Sequence, residues 1–323
     1  MKRTASIEIG LNAAIVSVRD GQPHVLVTRE GDQWDALPYG PFTPLDHRTL
    51  DSGLRDWVRE QSGLELGYVE QLYTFGDRGR HARQGDAGPH IVSVGYLALI
   101  GEDPQAAHEG TSFGRWYAYL PWEDWRSGKP DILTQEIEPR LKHWATRHNL
   151  DETRIEALTR QERLRIWFAI GRDAHWDEEK VLERYELLYE AGLVAEAKRD
   201  GREATSDWDD FPQLGRPMRF DHRRILATAI SRLRGKLKYR PVIFELLTDS
   251  FTLFELQKTV EAISGHHLHK QNFRRLVENG GLVEPTGDVS TQTGGRPAKL
   301  FRFRREVLME RPSIGVRMKA GRN

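Results

Sequence analysis

The sequence predicts an α+β chain in successive parts: a strand-and-helix unit at 1–150, a helical insert and linker at 151–218, a helix-turn-helix with a hairpin at 219–310, and a basic tail at 311–323. Three observations carry this. Residues 8–29 alternate apolar and polar around a tight-turn pair, and a helix closed by glycine follows them. Residues 151–193 are striped at helical spacing. Near the C-terminus a capping box, a short turn and a polar helix come in succession.

In the first unit, residues 9–18 and 24–28 flank Asp20-Gly21, a pair that tolerates the left-handed backbone of a two-residue hairpin. Residues 34–45 are rich in Pro and Gly and read as a loop. Over 49–62, Leu50, Leu54, Trp57, Val58 and Gln61 recur at helical spacing, and Gly63 ends the helix. Strands are expected at 68–75, 91–100 and 114–119, with a polar loop at 76–90 holding Gly76, Gly79, Gly85 and Gly88. A helix at 134–148 closes the unit. In the insert, stripes at 155–170 and 178–191 meet at 171–176. Residues 198–218, with Asp207-Trp208-Asp209-Asp210 and two prolines, read as a linker.

In the C-terminal unit, Asp221 is placed to cap a helix through Lys238, with Ile225, Leu226, Ala229, Ile230 and Leu233 on one face. Pro241-Val242-Ile243-Phe244 is a short apolar extension. Thr252-Leu253-Phe254-Glu255 is a capping box, in which hydroxyl and carboxylate satisfy amides at a helix start. That helix runs to Ser264 and stops at Gly265. After a turn at 266–269, a second helix runs from Lys270 to Asn279, closed by Gly280-Gly281. Residues 282–285 and 299–304 read as two strands joined by a Gly-rich loop. Helix, turn, helix, hairpin is the order of a winged helix.

The chain has 323 residues, 38% hydrophobic and 30% charged, with no run of eighteen apolar residues to span a membrane. No apolar segment follows Lys2 and Arg3, so no secretory signal is expected. Cysteine is absent, which excludes disulfides and thiolate metal sites and fits a cytoplasmic protein. Residues 219–323 hold 21 Lys and Arg against 10 Asp and Glu, a balance of +11, and residues 1–218 hold the compensating −11. A basic module on an acidic body is the footprint of a polyanion partner, or of a solvated surface with uneven charge.

In a winged helix the second helix enters the major groove, which admits a helix and shows a distinct pattern for each base pair. The exposed face of this one would offer Lys270, Gln271, Asn272, Arg274 and Arg275, with Phe273, Leu276 and Val277 toward the core. Asn and Gln pair bidentately with adenine, and Arg with guanine. Arg296, in Gly294-Gly295-Arg296-Pro297, would sit at the wing tip near phosphates or the minor groove, and Lys299 would add a further contact. The alternative is an ordinary solvated helix pair with a basic face.

Trp34-Asp35-Ala36-Leu37-Pro38-Tyr39-Gly40 is similar to the Trp-x-Leu-Pro-Gly-Gly entry to a Nudix domain. Leu54-Arg55-Asp56-Trp57-Val58-Arg59-Glu60-Gln61-Ser62-Gly63-Leu64 falls where that family has its Arg-Glu-aliphatic-x-Glu-Glu-x-Gly-aliphatic helix. Counting back from Gly63-Leu64, only Glu60 keeps a motif carboxylate. Gln61 stands for the second Glu, Trp57 for the earlier one and Asp56 for the Arg; Gly40 to Gly63 is also two residues longer than the family spacing. A Nudix hydrolase holds divalent metals on several Glu of this helix, and hard cations need several oxygen ligands. The degenerate helix implies a Nudix-like α/β/α sandwich with no catalytic residue and no metal site.

Joined to a winged helix, the chain resembles the Nudix-related transcriptional regulators of NAD metabolism, the NrtR family. The resemblance is carried further by Gln71-Leu72-Tyr73-Thr74-Phe75-Gly76-Asp77, Val92-Ser93-Val94-Gly95-Tyr96-Leu97-Ala98-Leu99, Arg232-Leu233-Arg234-Gly235-Lys236-Leu237-Lys238-Tyr239, Asn272-Phe273-Arg274-Arg275 and Gly294-Gly295-Arg296-Pro297-Ala298. It covers 8–148 and 220–305 and leaves out 151–218. It implies a repressor of NAD-metabolism genes that binds a palindromic operator in double-stranded DNA as a homodimer. It also implies a Nudix-like unit that senses ADP-ribose or another NAD-related nucleotide, with no required cofactor.

For that effector the residues offer Arg29 and Arg55 to a diphosphate and Trp34 or Phe75 to a base, with Glu60 and Asp77 completing the candidate set. Each has a structural reading too: Arg29 as a solvated strand end, Trp34 and Phe75 as core. Two other function classes stay open at this point. One is an active hydrolase of a nucleoside diphosphate derivative, drawing on Glu60, Asp56 and Asp77. The other is an interaction protein whose basic end binds RNA or an acidic partner, although 220–305 lacks an aromatic-rich single-strand platform.

Overall fold

The computed structural model describes residues 6–31, 33–77, 89–101, 108–147, 158–238, 240–291 and 297–307. The N-terminal alternation builds a six-stranded sheet. β1 (Ile7–Arg19) turns through Asp20 and Gly21 into β2 (Gln22–Thr28). β3 (Tyr39–Pro41) pairs with β1, β4 (Tyr68–Phe75) with β5 (His90–Leu99), and β6 (Thr111–Arg115) with β2. β1 and β5 run parallel, giving the order β4-β5-β1-β2-β6. Because successive side chains on a strand face opposite ways, Leu11, Ala13 and Ile15 enter one core while Ala14 and Val16 enter the other. The first core is covered by α1 (Leu50–Ser62), where Thr49 caps the start and Leu54 and Val58 are fully buried. Burying an aliphatic side chain of that size contributes about 1.5–3 kcal/mol. The strand expected at 114–119 lies earlier: after Arg115 the chain coils into α2 (Trp116–Tyr119), which buries Trp116 and Tyr119.

The layer on the second face departs most from expectation. α3 (Glu138–Thr146), entered through a π turn at Leu133–Ile137, packs chiefly on α4 (Arg160–Phe168) of the insert. α5 (Val181–Glu190) and α6 (Ala195–Arg199) follow. The sheet is covered instead by α7 (His222–Leu237), which lies on β1, β4 and β5 and against α5. Its Ile225, Leu226, Ala229, Ile230 and Leu233 are fully buried, and so are Arg223 and Arg234. A helix that the sequence groups with the C-terminal unit is therefore the hub between units. Asp221 stands at its N-cap position, but its side chain pairs with Arg224 at 3.1 Å and caps nothing. The stretch 198–218 is not a free linker, because its few apolar side chains find a core. Leu214 and Met218 are buried, and the Trp208 indole donates to the Ala191 carbonyl at 2.8 Å.

The C-terminal module consists of α8 (Leu253–Ser264), α9 (Lys270–Gly280) and a sheet of β7 (Phe251–Thr252), β8 (Val283–Ser290) and β9 (Ala298–Phe303) in the order β7-β9-β8. The capping box forms: the Glu255 amide donates to Thr252 Oγ1 at 3.1 Å, and the Thr252 amide donates to the Glu255 carboxylate at 2.6 Å. α8 packs on α7 and on β2. Arg296, Gly79, Gly85, Gly88 and the tail 311–323 lie outside the described residues.

Candidate DNA interface and effector site

α9 presents a sharply divided surface. Phe273 and Val277 are buried and Leu276 is half-buried, which anchors the helix to α8 and the hairpin. Lys270, Gln271, Asn272, Arg274 and Arg275 are all exposed. Arg274 lies in an exposed pair with Glu278 at 2.8 Å, one turn along. The first turn of α9 carries no acidic residue, so nothing there offsets the positive end of the helix dipole. Lys299 is exposed on β9, opposite Val289 of β8.

The turn between the two helices is fixed from behind. Gly265 ends α8 in the left-handed region at φ 76°, and a Cβ there would stand 2.5 Å from the Glu123 carbonyl, so only glycine fits. The Trp125 amide donates to the Gly265 carbonyl at 2.8 Å, the Tyr117 hydroxyl to Ala262 at 2.8 Å, and Arg234 Nε to Ile263 at 3.0 Å. Beneath them lies a buried charge triad. The Glu123 carboxylate accepts from Arg184 Nε at 2.6 Å and Nη2 at 2.8 Å, and from Arg234 Nη1 at 2.7 Å. Burial opposes ionisation of Glu123, but the two guanidiniums outweigh it and hold its carboxyl below the ordinary carboxylate range. The triad joins the chain after α2 to α5 and α7. Sequence reading missed it because Glu123 lies 61 and 111 residues from its partners, with no local pattern to mark them.

The Nudix-like loop and helix are used differently. A Cβ on Gly40 would fall inside the Trp57 indole, which explains the glycine at that motif position. The indole N–H of Trp57 donates to the Pro41 carbonyl at 2.8 Å. Gln61 accepts from the Tyr39 amide at 3.2 Å and donates to the Tyr39 carbonyl at 2.5 Å. Trp57 and Gln61 thus bolt β3 to α1. Glu60 is exposed, Asp56 pairs with Arg59, and Asp77 pairs with Arg224 of α7. Among the described residues no three His, Asp or Glu are grouped as a metal ion requires.

The effector candidates sit in different surroundings. Phe75 is 2% exposed, in edge contact with Tyr73 and under the Arg224 guanidinium, so it has no face to offer a base. Arg55 is held by Asp51 at 2.8 Å and by the Leu66 carbonyl, and so braces the loop after α1. Arg29 is half-exposed but bound to Asp35 at 2.6 Å, and Asp35 also accepts from the buried Tyr119 hydroxyl at 2.7 Å. Trp34 is half-buried on the wall of a cavity of about 480 Å³. A contact absent from the sequence reading ties this region to α7: His222 Nδ1 accepts from the Leu37 amide at 2.9 Å, and its Nε2–H donates to Asn12 at 2.8 Å.

With this geometry established, residues 243–303 match the family model of the NrtR DNA-binding winged helix domain. The C-terminal module is an NrtR winged helix. The match begins after α7, in agreement with the burial of that helix in the body of the protein. A curated relative in Acinetobacter baylyi, named ADPR responsive transcriptional repressor NtrR, is 42% identical over 99 residues, or 30% of this chain; the matched stretch spans 39% of the relative's length. The crystal structure of Shewanella oneidensis NrtR complexed with a 27mer DNA superposes with a TM-score of 0.54 at 20% identity, covering 93% of this chain and 95% of that one. A MutT/nudix family protein from Enterococcus faecalis gives 0.52 at 15% identity, covering 94% and 89%. At such identities the likeness is one of fold, and the fold is that of NrtR: an α+β chain with a Nudix-like sandwich and a winged helix.

Proposed function

We propose that this protein is a transcriptional repressor of NAD-metabolism genes that binds double-stranded operator DNA and responds to ADP-ribose or a related nucleotide. The observation that carries the reading is the face of α9: five polar or basic side chains stand in solvent on the second helix of an NrtR winged helix. A single wing reads few base pairs, so two copies about a twofold axis reading a palindrome is the economical arrangement. The name of the Acinetobacter relative and the DNA in the Shewanella crystal support the DNA and nucleotide partners. The sensor acts without catalysis or cofactor in this reading, because Trp57 and Gln61 serve structure where a hydrolase needs carboxylates. The sensing body comprises the large sheet, the insert and α7, and the DNA-reading part begins near 243. No helix among the described residues is long and apolar enough to cross a membrane, and action in the cytoplasm on chromosomal DNA completes the proposal.

The test is selection of DNA from a random pool by the purified full-length protein, together with an ADP-ribose hydrolysis assay in magnesium and manganese. Enrichment of a palindrome is expected. Failure to enrich any sequence overturns the DNA reading. A turnover of about 1 per second or more, ordinary for an enzyme, would replace the sensor with a hydrolase.

A further inference from the structure

α8 and α9 meet at a buried carboxylate that is not part of the Glu123 triad. Glu261 lies in the last turn of α8 and is 3% exposed. That placement is doubly costly, because burial penalises the charge and the last turn of a helix is the negative end of its dipole. Four donors offset the cost. Glu261 Oε1 accepts from the Leu268 amide at 3.0 Å and from Gln257 Nε2 at 2.9 Å. Its Oε2 accepts from Lys258 Nζ at 3.1 Å and from His267 Nδ1 at 3.2 Å. Burial pushes the carboxyl upward, but these donors outweigh it and hold it below the ordinary carboxylate range. Gln257, buried one turn earlier on α8, has a second hydrogen on Nε2, which it donates to the Leu268 carbonyl at 2.9 Å. Side chains of α8 therefore hold both the N–H and the C=O of Leu268, two residues before α9 begins.

α9 depends on such a hold. Its N-cap residue, His269, makes no side-chain cap, in contrast to Thr252 at the start of α8, and along α9 only Phe273 and Val277 are buried. A helix seated by one narrow apolar stripe has its depth set by that stripe, while its rotation and its position along its own axis need a further restraint. Base edges are read by side chains near the N-terminus of such a helix, and a bidentate pair forms only when both bonds align. We infer that Glu261, assisted by Gln257, is a positioning residue for DNA reading: by clamping Leu268 it sets where α9 starts, and so where Gln271, Asn272 and Arg275 meet base edges. The inference rests on the regulator reading above. Glu261 is buried, so it acts through Leu268 and not on the DNA itself. Non-specific binding depends on charge rather than on the aim of a side chain, so the clamp contributes to selectivity and not to general affinity.

The experiment is fluorescence anisotropy of the full-length protein on its selected operator and on a scrambled duplex of the same length. Wild type is compared with Glu261→Ala, Glu261→Gln, Gln257→Ala and Thr252→Ala, with melting temperatures to check that each is folded. Thr252→Ala weakens α8 at its far end without touching the turn, so it separates aim from helix stability. We expect the ratio of operator to scrambled affinity to fall about tenfold or more in Glu261→Ala, with affinity for the scrambled duplex kept within about threefold. Glu261→Gln still offers a carbonyl oxygen to Leu268 and should restore the ratio to within about threefold of wild type, and Thr252→Ala should keep it. If Glu261→Ala does not fold, Gln257→Ala carries the test, with an expected fall of about threefold or more. A ratio within about twofold of wild type in the folded variant overturns the inference. An equal fall in Thr252→Ala, or no recovery in Glu261→Gln, overturns it as well. Wild type that binds both duplexes equally removes the sequence-specific DNA reading and this inference with it.

Discussion

α9 holds its polar side chains in solvent and buries only Phe273 and Val277, whereas α1 turns Trp57 and Gln61 onto the strand Tyr39–Pro41. Both are amphipathic helices following a recognisable motif, and each packs on neighbouring elements, α1 on β1 and α9 on α8. Recognition of a large polyanion needs side chains uncommitted within the fold, because the partner must satisfy them. Metal catalysis needs carboxylates gathered on one face, whereas Trp57 and Gln61 of α1 fasten its own loop. The difference separates a surface left open to solvent from one committed to the fold. A second contrast follows from it: the contact surface stands on a buried charge triad, so the exposed helix pair is held in a fixed setting.

Breaking that setting should have the largest effect. Glu123→Gln leaves Arg184 and Arg234 buried without their anion and should cost about 3–5 kcal/mol of stability, measured by urea denaturation. The pH dependence follows from the sign of the shift. The Glu123 carboxyl titrates below its ordinary value of 4.5 in the folded protein, so its contribution is complete above that pH and is lost as pH falls through the folded value. Wild type should therefore lose stability below about pH 4.5 more steeply than Glu123→Gln. Equal acid profiles would show that the triad does not hold the turn.

Next in size, Asn272→Ala and Arg275→Ala should each weaken operator binding by about 1–3 kcal/mol if the residue reads a base, with specificity relaxed at one position. Arg274, already paired with Glu278, should matter less. Glu60→Gln on α1 should leave DNA affinity unchanged, and a loss there would erase the contrast between the helices. Thr252→Ala removes the α8 cap and should cost about 1 kcal/mol of stability. The smallest effect is that of Lys299→Ala, which should weaken binding similarly across sequences and flatten the dependence of log affinity on log salt by about 1.

What was legible in the sequence was what is local. The Asp20-Gly21 hairpin, the Thr252–Glu255 capping box and the stripe on α9 depend on neighbours within a few residues, and all three stand in the structure. The placement of α7 was not legible, because an apolar stripe tells that a helix is buried and not against what. Residues 198–218 read as a linker from their prolines and aspartates, yet Leu214, Met218 and Trp208 are enough to pin the segment. On the sensor side, residue type alone could not tell Phe75, which is core, from Trp34, which lines a cavity. The Glu123 triad and the His222 bridge to Leu37 and Asn12 are contacts of fold, invisible until distant segments meet.

The central claim is that a nucleotide bound to the body of this protein changes the grip of its winged helices on DNA. Two sites are coupled only if the ligand binds the two states of the assembly unequally, and such coupling commonly changes affinity by about 5–150-fold. The direct measurement is fluorescence anisotropy of the full-length protein on its selected operator, repeated across a titration of ADP-ribose in the presence of magnesium. The account predicts at least a fivefold change in operator affinity at saturating ADP-ribose, with the nucleotide recovered intact. Operator affinity that stays constant while ADP-ribose demonstrably occupies the protein would contradict it.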